Sequence, residues 1–493
     1  MSGSQVENPP NARSVEAPRK QSRVLTLSPM PPEKCAYALA RYSRSPDSIR
    51  DSLEWVRTHD SAKFLESFYF QYGHASIADL GHIVICFEGI SELAAIEAED
   101  EQLWDGQARS SRYQDFSKSG FVTPPELNAA DASLYRETAQ KLLNGYNEVH
   151  AKVCDYLADR LPRPESMKPD MYERNIRARA FDVARYLLWL GIPTGVGQVT
   201  SIRTLEHQIR RMKASEYKEV RELADEIAKA CAEEPSCRWS ENGAGEAVAP
   251  TLARHVEPDE HQSRSREDLT RWAEENLSAC EHHAPEAVDL LKPTDTLADI
   301  AATLLYPVTD RPYRNLYETI QSWGDARKNE VLEVALGSRS RRNELLRAFR
   351  SAPYVYDIVM DIGAYRDLHR HRRCQQFRQR YSTTLGFEVP ETISSADLSS
   401  LYNDLLTEAA NVVTKLPQPA AQYLLPFATK SRFLFKMDFA EAEYICRVRT
   451  GVKGHFSYRR IGWQMKEKMT ELEPQLGALM EATPPSIDDP LQR

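Results

Sequence analysis

The sequence lacks the features that mark membrane, secreted and zinc-stabilised proteins. No apolar run approaches the length needed to span a bilayer, and no basic-then-apolar secretory start is present. The eight cysteines are scattered without any Cys-x-x-Cys pair, which predicts reduced thiols and no disulfide or zinc framework. We therefore expect a soluble, cytoplasmic protein without a metal site and without a membrane partner.

The sequence also lacks an excess of positive charge. Its formal net charge is -9, whereas a general nucleic-acid binder is normally basic. The chain of 493 residues is long enough for two or three domains that each bury a core. We expect a small-molecule partner and no nucleic acid.

One stretch departs from this acidic background. Residues 366–381 contain six arginines and two histidines. The preceding residues 354–360 alternate apolar and polar side chains, which predicts a half-buried strand. Arginine binds phosphate oxygens in pairs and stays charged at any working pH, so the cluster favours a phosphate site. A solvated basic helix face or an RNA-contacting arm is the alternative, and the RNA reading is disfavoured because aromatic residues do not interleave the arginines.

The cluster resembles the signature of the flavin-dependent thymidylate synthase (ThyX) family. Arg370-His371-Arg372 is followed, after seven residues, by an Arg-Tyr-Ser run that begins at Arg380. In that family the Arg-His-Arg triplet holds FAD, which implies cofactor contacts for Arg370, His371 and Arg372. The far end of the signature binds the phosphate of dUMP, which implies a substrate contact for Arg380. Arg378 stands where the family has a serine, and the family's Asn-Glu pair is absent.

An earlier stretch resembles the first half of the same family. A Gly-His-Ala-Ser run ending at Ser76 precedes Asp79, a predicted strand at residues 83–87 and an alanine-rich helix. The resemblance implies that Ser76 and Asp79 contact the flavin. Without the resemblance, a single histidine in such a turn would most often cap or support the turn.

The nucleotide-binding end of this first motif is present, although its Arg-His-Arg is not. Residues 99–102 read Glu-Asp-Glu-Gln there, and such carboxylates would repel a pyrophosphate. Ser110, Ser111 and Arg112 follow, and in the family such residues bind the substrate phosphate, as hydroxyls and one arginine can do physically. Without the resemblance, this tetrapeptide would indicate no more than a loop.

A helix start further along also resembles the family. Arg203 and His207 match an Asn-x-Arg-Ser-Leu-x-His/Asn pattern, and Ser201 replaces its first residue. The resemblance implies that Arg203 and His207 touch FAD. Their spacing of four allows one helix face to present both, and an exposed helix face without a ligand is the alternative.

The order of elements restarts in the second half, which two diverged tandem copies of one unit explain. The resemblance then implies an α+β fold in which each unit is a small antiparallel sheet flanked by long helices. We predict the following division: a disordered tail at 1–28, the first unit at 29–237, a connecting segment at 238–294, the second unit at 295–480 and a tail at 481–493. Histidines and Cys280 in the connecting segment match no standard metal-site spacing.

The two copies have lost complementary parts of the motif set. The first keeps Arg203 and His207 without Arg-His-Arg, and the second keeps Arg-His-Arg together with Arg449, where the family has a substrate-phosphate arginine. Active sites in the family are shared between subunits of a homotetramer. We therefore expect one chain to act as a pseudo-dimer and a homodimer to act as a pseudo-tetramer.

The resemblance implies an enzyme that uses FAD, with NADPH and methylenetetrahydrofolate as co-substrates, and transfers a one-carbon unit or hydride to a pyrimidine nucleotide such as dUMP. Two alternatives stay open: a flavin enzyme of the same fold with another substrate, and a non-catalytic flavin- or nucleotide-binding homologue. No catalytic side chain is assigned, because the chemistry requires no nucleophilic cysteine. We expect Cys374, inside the arginine cluster, to be structural.

Overall fold

The structure is a computed structural model, and most of the chain can be described from it. The described residues are 23–27, 31–42, 55–67, 75–112, 114–236, 247–277, 286–339, 346–350 and 352–492. Within these ranges, no helix is long and apolar enough to cross a membrane, and no group of three or more potential metal ligands occurs. Cys280 and the histidines at 282 and 283 lie outside the described residues, as do the glycine and histidine of the 73–76 run.

The first unit is built on a four-stranded antiparallel sheet. Its strands are β1 (Arg23–Leu27), β2 (His82–Ser91), β3 (Trp104–Ala108) and β4 (Pro193–Ser201), in the order β1-β2-β4-β3. Along β2 every second side chain from Ile83 to Phe87 is buried, as expected for a strand with one face on a core. A register irregularity at Gly89, whose φ is +69, bends the end of β2 toward the next helix.

Helices surround this sheet, and the longest of them is α4. Their bounds are α1 Pro32–Tyr42, α2 Ser61–Leu65, α3 Glu92–Glu99, α4 Ala129–Arg160, α5 Pro169–Ala184, α6 Ile202–Lys213, α7 Lys218–Ala232 and α8 Pro250–Ala253. A short 3-10 helix, Ala75–Leu80, leads into β2.

The second unit repeats this plan. Its strands are β5 (Val288–Leu291), β6 (Tyr354–Asp361), β7 (Gln375–Arg378) and β8 (Lys430–Met437), in the order β5-β6-β8-β7. All pairings are antiparallel and follow the same permutation as the first sheet. The predicted α+β fold with two tandem units is confirmed.

The helices of the second half include one long addition, α9, before the sheet. Their bounds are α9 Glu260–Asn276, α10 Thr296–Leu305, α11 Tyr313–Gln321, α12 Asp325–Leu336, α13 Ile362–Leu368, α14 Glu391–Ser395, α15 Ser399–Val413, α16 Phe439–Arg449, α17 Phe456–Leu472 and α18 Pro474–Gly477. A 3-10 helix, Arg347–Phe349, stands before β6 as Ala75–Leu80 stands before β2.

The two units are joined by backbone hydrogen bonds between equivalent segments. Gly191 N donates to Tyr423 O at 2.7 Å, and Phe427 N donates to Leu188 O at 2.7 Å. One continuous cluster of buried apolar side chains contains residues of both sheets and of these crossing segments. The chain is therefore a pseudo-dimer with a common core.

Three predictions made along the chain are wrong in detail. Arg23–Leu27 forms an edge strand, although residues 1–28 were predicted as a disordered tail, because β2 offers it an unpaired edge. Val288–Leu291 belongs to the second sheet, and α9 packs on α12, although both fall in the predicted connecting segment. Strand β6 is buried on nearly every residue, because helices cover both faces, so it is not half-buried.

Candidate functional site

A large cavity lies where the two units face one another. Its volume is about 2800 Å³, and fifteen arginines and twelve carboxylates line it, with no lysine among the described residues of its wall. Arginine is the cation best suited to planar, paired contacts with phosphate. The excess of arginine over carboxylate gives the cavity wall a net positive charge in a protein that is acidic overall.

Three of the predicted cofactor contacts reach the cavity from the first unit. Ser201 caps α6 by accepting a hydrogen bond from the Thr204 backbone, so Arg203 and His207 are held on the first turns of that helix. Asp79, from the 3-10 helix before β2, lies 3.4 Å from the Arg203 guanidinium. Asp79, Arg203 and His207 all line the cavity. Ser76 lies in the same 3-10 helix, and its side chain is outside the described part of the structure.

The arginine triplet enters the same cavity from the second unit. Asp361 caps α13, and the helix ends at Leu368, so the chain leaves the helix just before Arg370. Arg370 and Arg372 line the cavity, and Arg372 donates to Asp105 at 2.6 Å while its guanidinium stacks 5.4 Å above the Trp104 ring. Arg203 and His207 of the first copy and Arg370 and Arg372 of the second thus line one cavity within a single chain.

His371, the middle residue of the triplet, has a different environment. It is buried, and its Nε2 accepts a hydrogen bond from Arg449 Nε at 2.7 Å, which leaves Nδ1 to donate to Glu441 Oε1 at 3.3 Å. Burial lowers the pKa of His371 despite the contact with Glu441, so the imidazole is neutral. Both ring nitrogens are used within the protein, and His371 therefore orients Arg449 rather than offering a free donor to a ligand.

The acidic segment that replaces Arg-His-Arg in the first copy is neutralised by arginines that the sequence analysis did not single out. Arg347 donates to both oxygens of Asp100, at 2.9 and 2.8 Å, and Arg211 donates to Glu101 at 2.9 Å. Burial opposes ionisation of Asp100, yet Arg347 and then Arg211 hold the pKa of this carboxyl well below its usual range. The only sign of these arginines in the sequence is the run of three carboxylates at residues 99–101, whose negative charge needs a positive partner in the fold.

The predicted substrate residues of the first copy do not line the cavity. Arg112 is buried and forms a two-pronged ion pair with Asp182 at 2.7 and 3.1 Å. It also donates to Tyr458 Oη at 2.9 Å, so it joins the two units. Ser111 Oγ accepts a hydrogen bond from Arg366 at 2.8 Å, and Ser110 Oγ accepts one from the Arg112 backbone. Ser110, Ser111 and Arg112 are thus engaged in hydrogen bonds within the protein, and their predicted phosphate contact stays a prediction.

The two predicted substrate arginines of the second copy do line the cavity. Arg380 is exposed and forms an ion pair with Glu216, and Arg449 contacts His371 as described above. Arg378, which stands in the serine position of the family motif, forms an ion pair with Glu97. Cys374 is buried, in agreement with a structural role.

The wall fits a doubly charged anion such as the pyrophosphate of a dinucleotide cofactor. Among the described residues, the guanidinium groups of Arg370 and Arg373 make no hydrogen bond or ion pair, while the other arginines of the wall are engaged. Arg370 is half-buried at the cavity edge, with the buried carboxylates Glu92 and Glu99 nearby. A guanidinium group without a hydrogen-bond partner in the protein can make paired, charge-assisted hydrogen bonds to phosphate oxygens.

Comparison with known proteins yields one family and several distant relatives. The family model described as thymidylate synthase complementing protein matches residues 24–235 and 288–475, one match for each unit. A UPF0159 protein of Chlamydia muridarum is 25% identical over 435 residues, covering 84% of this chain and 79% of the relative. A UPF0159 protein of Thermoplasma acidophilum is 23% identical over 484 residues, covering 90% and 94%.

Two solved structures are also similar to parts of the chain. The UMP/dUMP methylase PolB from Streptomyces cacaoi, bound with 5-Br dUMP, has 13% identity and a TM-score of 0.31, covering 48% of this chain and 95% of that one. ThyX from Helicobacter pylori, with FAD and dUMP, has 15% identity and a TM-score of 0.25, covering 43% and 93%.

Proposed function

Because the chain belongs to the thymidylate synthase complementing protein family, we propose that it is an FAD-dependent enzyme acting on a pyrimidine nucleotide such as dUMP. The reaction is the transfer of a one-carbon unit or hydride, with NADPH and methylenetetrahydrofolate as co-substrates. One observation carries the proposal: Arg203 and His207 of the first unit line the same cavity as Arg370 and Arg372 of the second. Each copy supplies the cofactor-binding residues that the other has lost.

Different residues of the cavity wall would bind the cofactor and the substrate. Arg370 and Arg372 would hold the cofactor phosphates, while Asp79 orients Arg203 across the cavity through their 3.4 Å contact. Arg380 and Arg449 stand on the same wall and would bind the anionic substrate. A bound flavin would supply the redox chemistry, and the preorganised arginines would stabilise negative charge on the pyrimidine.

Further parts of the proposal concern assembly and location. Two chains would associate as a homodimer that acts as a pseudo-tetramer. The enzyme would work in the cytoplasm on a small-molecule nucleotide, without nucleic-acid partners. The net charge of -9 supports the last point.

A second candidate function is flavin chemistry on a different substrate. The observation that favours it is the burial of Arg112 against Asp182, which removes one predicted phosphate contact from the cavity. The pairing of Arg378 with Glu97, in place of the family's serine, removes another. A non-catalytic flavin- or nucleotide-binding homologue is the third reading, and the same experiment separates all three.

The test is anaerobic reduction of the purified protein with NADPH, followed through the flavin absorbance with and without dUMP. We expect bound FAD whose reduction is faster with dUMP, and formation of dTMP when methylenetetrahydrofolate is added. Arg370→Ala should weaken FAD binding about 10- to 100-fold, because one charge-assisted phosphate contact is lost. Arg136→Ala, an exposed substitution on α4 away from the cavity, is the matched control and should change nothing.

The outcomes separate the three readings. Bound FAD that is indifferent to dUMP would favour the second candidate, with Arg378 as the first residue to restore to serine. Bound FAD that NADPH and other reductants reduce without any product from added nucleotides would favour the non-catalytic reading. A colourless protein that takes up no added FAD would refute the flavin proposal.

A further inference from the structure

The two units present equivalent positions to the cavity, and the side chains at these positions differ in charge: an acidic and a neutral residue in the first unit, two arginines in the second. Helix α3 follows the cap residue Ser91, and α13 follows the cap residue Asp361. Counted from these caps, Asp100 is equivalent to Arg370 and Gln102 is equivalent to Arg372. The pseudo-symmetry therefore creates two candidate cofactor places in each chain. The first lies where the Arg370 segment meets the first unit, and the second lies where the Asp100 segment meets the second unit.

The first of these places keeps the composition of an anion site. Arg370 and Arg372 of the second unit line the same cavity as Asp79, Arg203 and His207 of the first unit. Arg370 has no hydrogen bond or ion pair within the described part of the chain, so its N–H donors are available to a ligand, although the buried carboxyl groups of Glu92 and Glu99 lie near its charge.

In the second place, the residue equivalent to Arg370 is a carboxylate. This carboxylate already forms an ion pair with an arginine of the other unit. Here the arginines come from the 3-10 helix before β6, where Arg347 forms the two-pronged contact with Asp100 and Arg350 donates to Gln102 at 2.9 Å. Arg347 also lies 5.3 Å from the Phe377 ring centre. The Asp100 carboxylate thus accepts the two Arg347 hydrogen bonds that a phosphate would otherwise accept.

The helix wall of the second place has also changed. On α16, Asp438, Ala440 and Tyr444 take the positions that Ser201, Arg203 and His207 hold on α6. The replacement of Arg203 by an alanine removes a cation, and Asp438 is committed to capping α16 at 2.9 Å. A pyrophosphate placed here would meet an extra carboxylate and fewer available donors.

We propose that each chain holds a single cofactor-anion site, the one shared by Arg370, Arg372 and Arg203. The pseudo-equivalent place is an internal clamp in which the Asp100 carboxylate stands in for the cofactor phosphate and, through Arg347, fixes the two units relative to each other. The inference rests on the proposed function and specifies its stoichiometry. A homodimer then has two working sites, not four.

The test is the number of FAD molecules bound by the full-length chain, measured by equilibrium dialysis of the apo-protein against FAD. We expect saturation at one FAD per chain. Two FAD per chain would overturn the single-site inference and leave the proposed function intact. One FAD per two chains would overturn it as well, since the site would then require residues from both chains. No binding at all would overturn the inference together with the proposed function.

Paired variants test the assignment of the two places. Arg370→Ala should raise the FAD dissociation constant at least about tenfold. The double variant Asp100→Ala/Arg347→Ala removes both partners of the clamp, so no charge is left unpaired. It should keep one FAD per chain with a dissociation constant within about twofold of the parent, and it should unfold at a lower temperature. Loss of FAD binding by the soluble double variant, with binding retained by Arg370→Ala, would reverse the assignment and refute it.

Discussion

At the scale of single residues, the two units keep the same chemistry with exchanged side chains. Ser91 caps α3 and donates from Oγ to Glu219 at 2.6 Å, while Asp361 caps α13 and accepts a hydrogen bond from Ser457. A helix cap needs only an acceptor, and the buried pair needs one donor and one acceptor. The hydroxyl and the carboxylate have therefore changed places between the copies without loss of either interaction.

Glu99 is a buried carboxyl near the crossing of the two units. Burial, and then the charge of Glu92, raises the pKa of Glu99 to about 7 from the usual 4.5. Its Oε1 has no hydrogen-bond partner in the described structure. The folded protein therefore holds this proton at a pH at which the unfolded chain has released it.

The contribution of Glu99 to stability should fall as the pH rises from about 4.5 to about 7, because the native carboxyl keeps a proton that the unfolded chain releases in that window. The shift limits this contribution to ~3 kcal/mol. Glu99→Gln should remove this contribution, so that between about pH 5 and about pH 8 the variant should lose less stability, or gain more, than the parent, as urea unfolding at the two pH values would measure. Glu137→Gln, exposed on α4, is the control, and an unchanged slope in Glu99→Gln would contradict the assignment.

At the scale of elements, the join between the units depends on close backbone approach. Gly191 lies where the first crossing segment pairs with Tyr423, and a Cβ at this position would collide with Tyr135 Oη and lie 3.2 Å from Tyr423 O. Tyr135 cannot move away, since its hydroxyl donates to Val122 O at 2.8 Å and accepts from Trp189. The position requires glycine for space.

Gly191→Ala should destabilise the protein by about 1–3 kcal/mol, as expected for overpacking against fixed neighbours. Thermal and urea unfolding would measure the loss. The matched control is Gly197→Ala in β4, where the nearest atom to the added Cβ is Cys86 Sγ at 4.0 Å. The two variants should differ clearly, and equal stability would show that the crossing segments can separate without cost.

At the scale of the whole molecule, the two units share one apolar core. Side chains of the first sheet, the crossing segments and the second sheet belong to the same cluster, and the Arg112–Asp182 pair reaches Tyr458 of α17. Separation of the units would expose this core and leave buried charges without partners. The units are therefore not independent folding domains in the physical sense.

We expect one cooperative unfolding transition for the whole chain, because one large cluster of buried apolar side chains contains residues of both units. Coincident urea transitions by tryptophan fluorescence and by far-ultraviolet circular dichroism would support this. The tryptophans include Trp104 and Trp189 in the first unit and Trp463 in the second, so both units are observed. Two resolved transitions would show that the units are stable separately.

The sequence was sufficient for features that depend on local pattern and on family motifs. The apolar run at residues 83–87 predicted β2, and the repeated order of elements predicted two α+β units. The arginine triplet at Arg370 predicted a ligand site, and Arg370 and Arg372 line the cavity. The edge strand Arg23–Leu27 was missed because its stability comes from pairing with β2 and not from its own composition.

Only the tertiary structure decided which charged residues are available. Arg112 and Arg370 were both predicted to contact a ligand, yet Arg112 is bonded to Asp182 and Tyr458, while Arg370 lines the cavity and makes no hydrogen bond or ion pair within the described part of the chain. The acidic segment at Asp100 is compatible with folding because Arg347, 247 positions later in the chain, neutralises it. The sequence determines the number and kind of charged side chains. Which of them form pairs depends on distances between residues far apart in the chain. This pairing sets the free-energy cost of burying each charge and decides which charged groups can still bind a ligand.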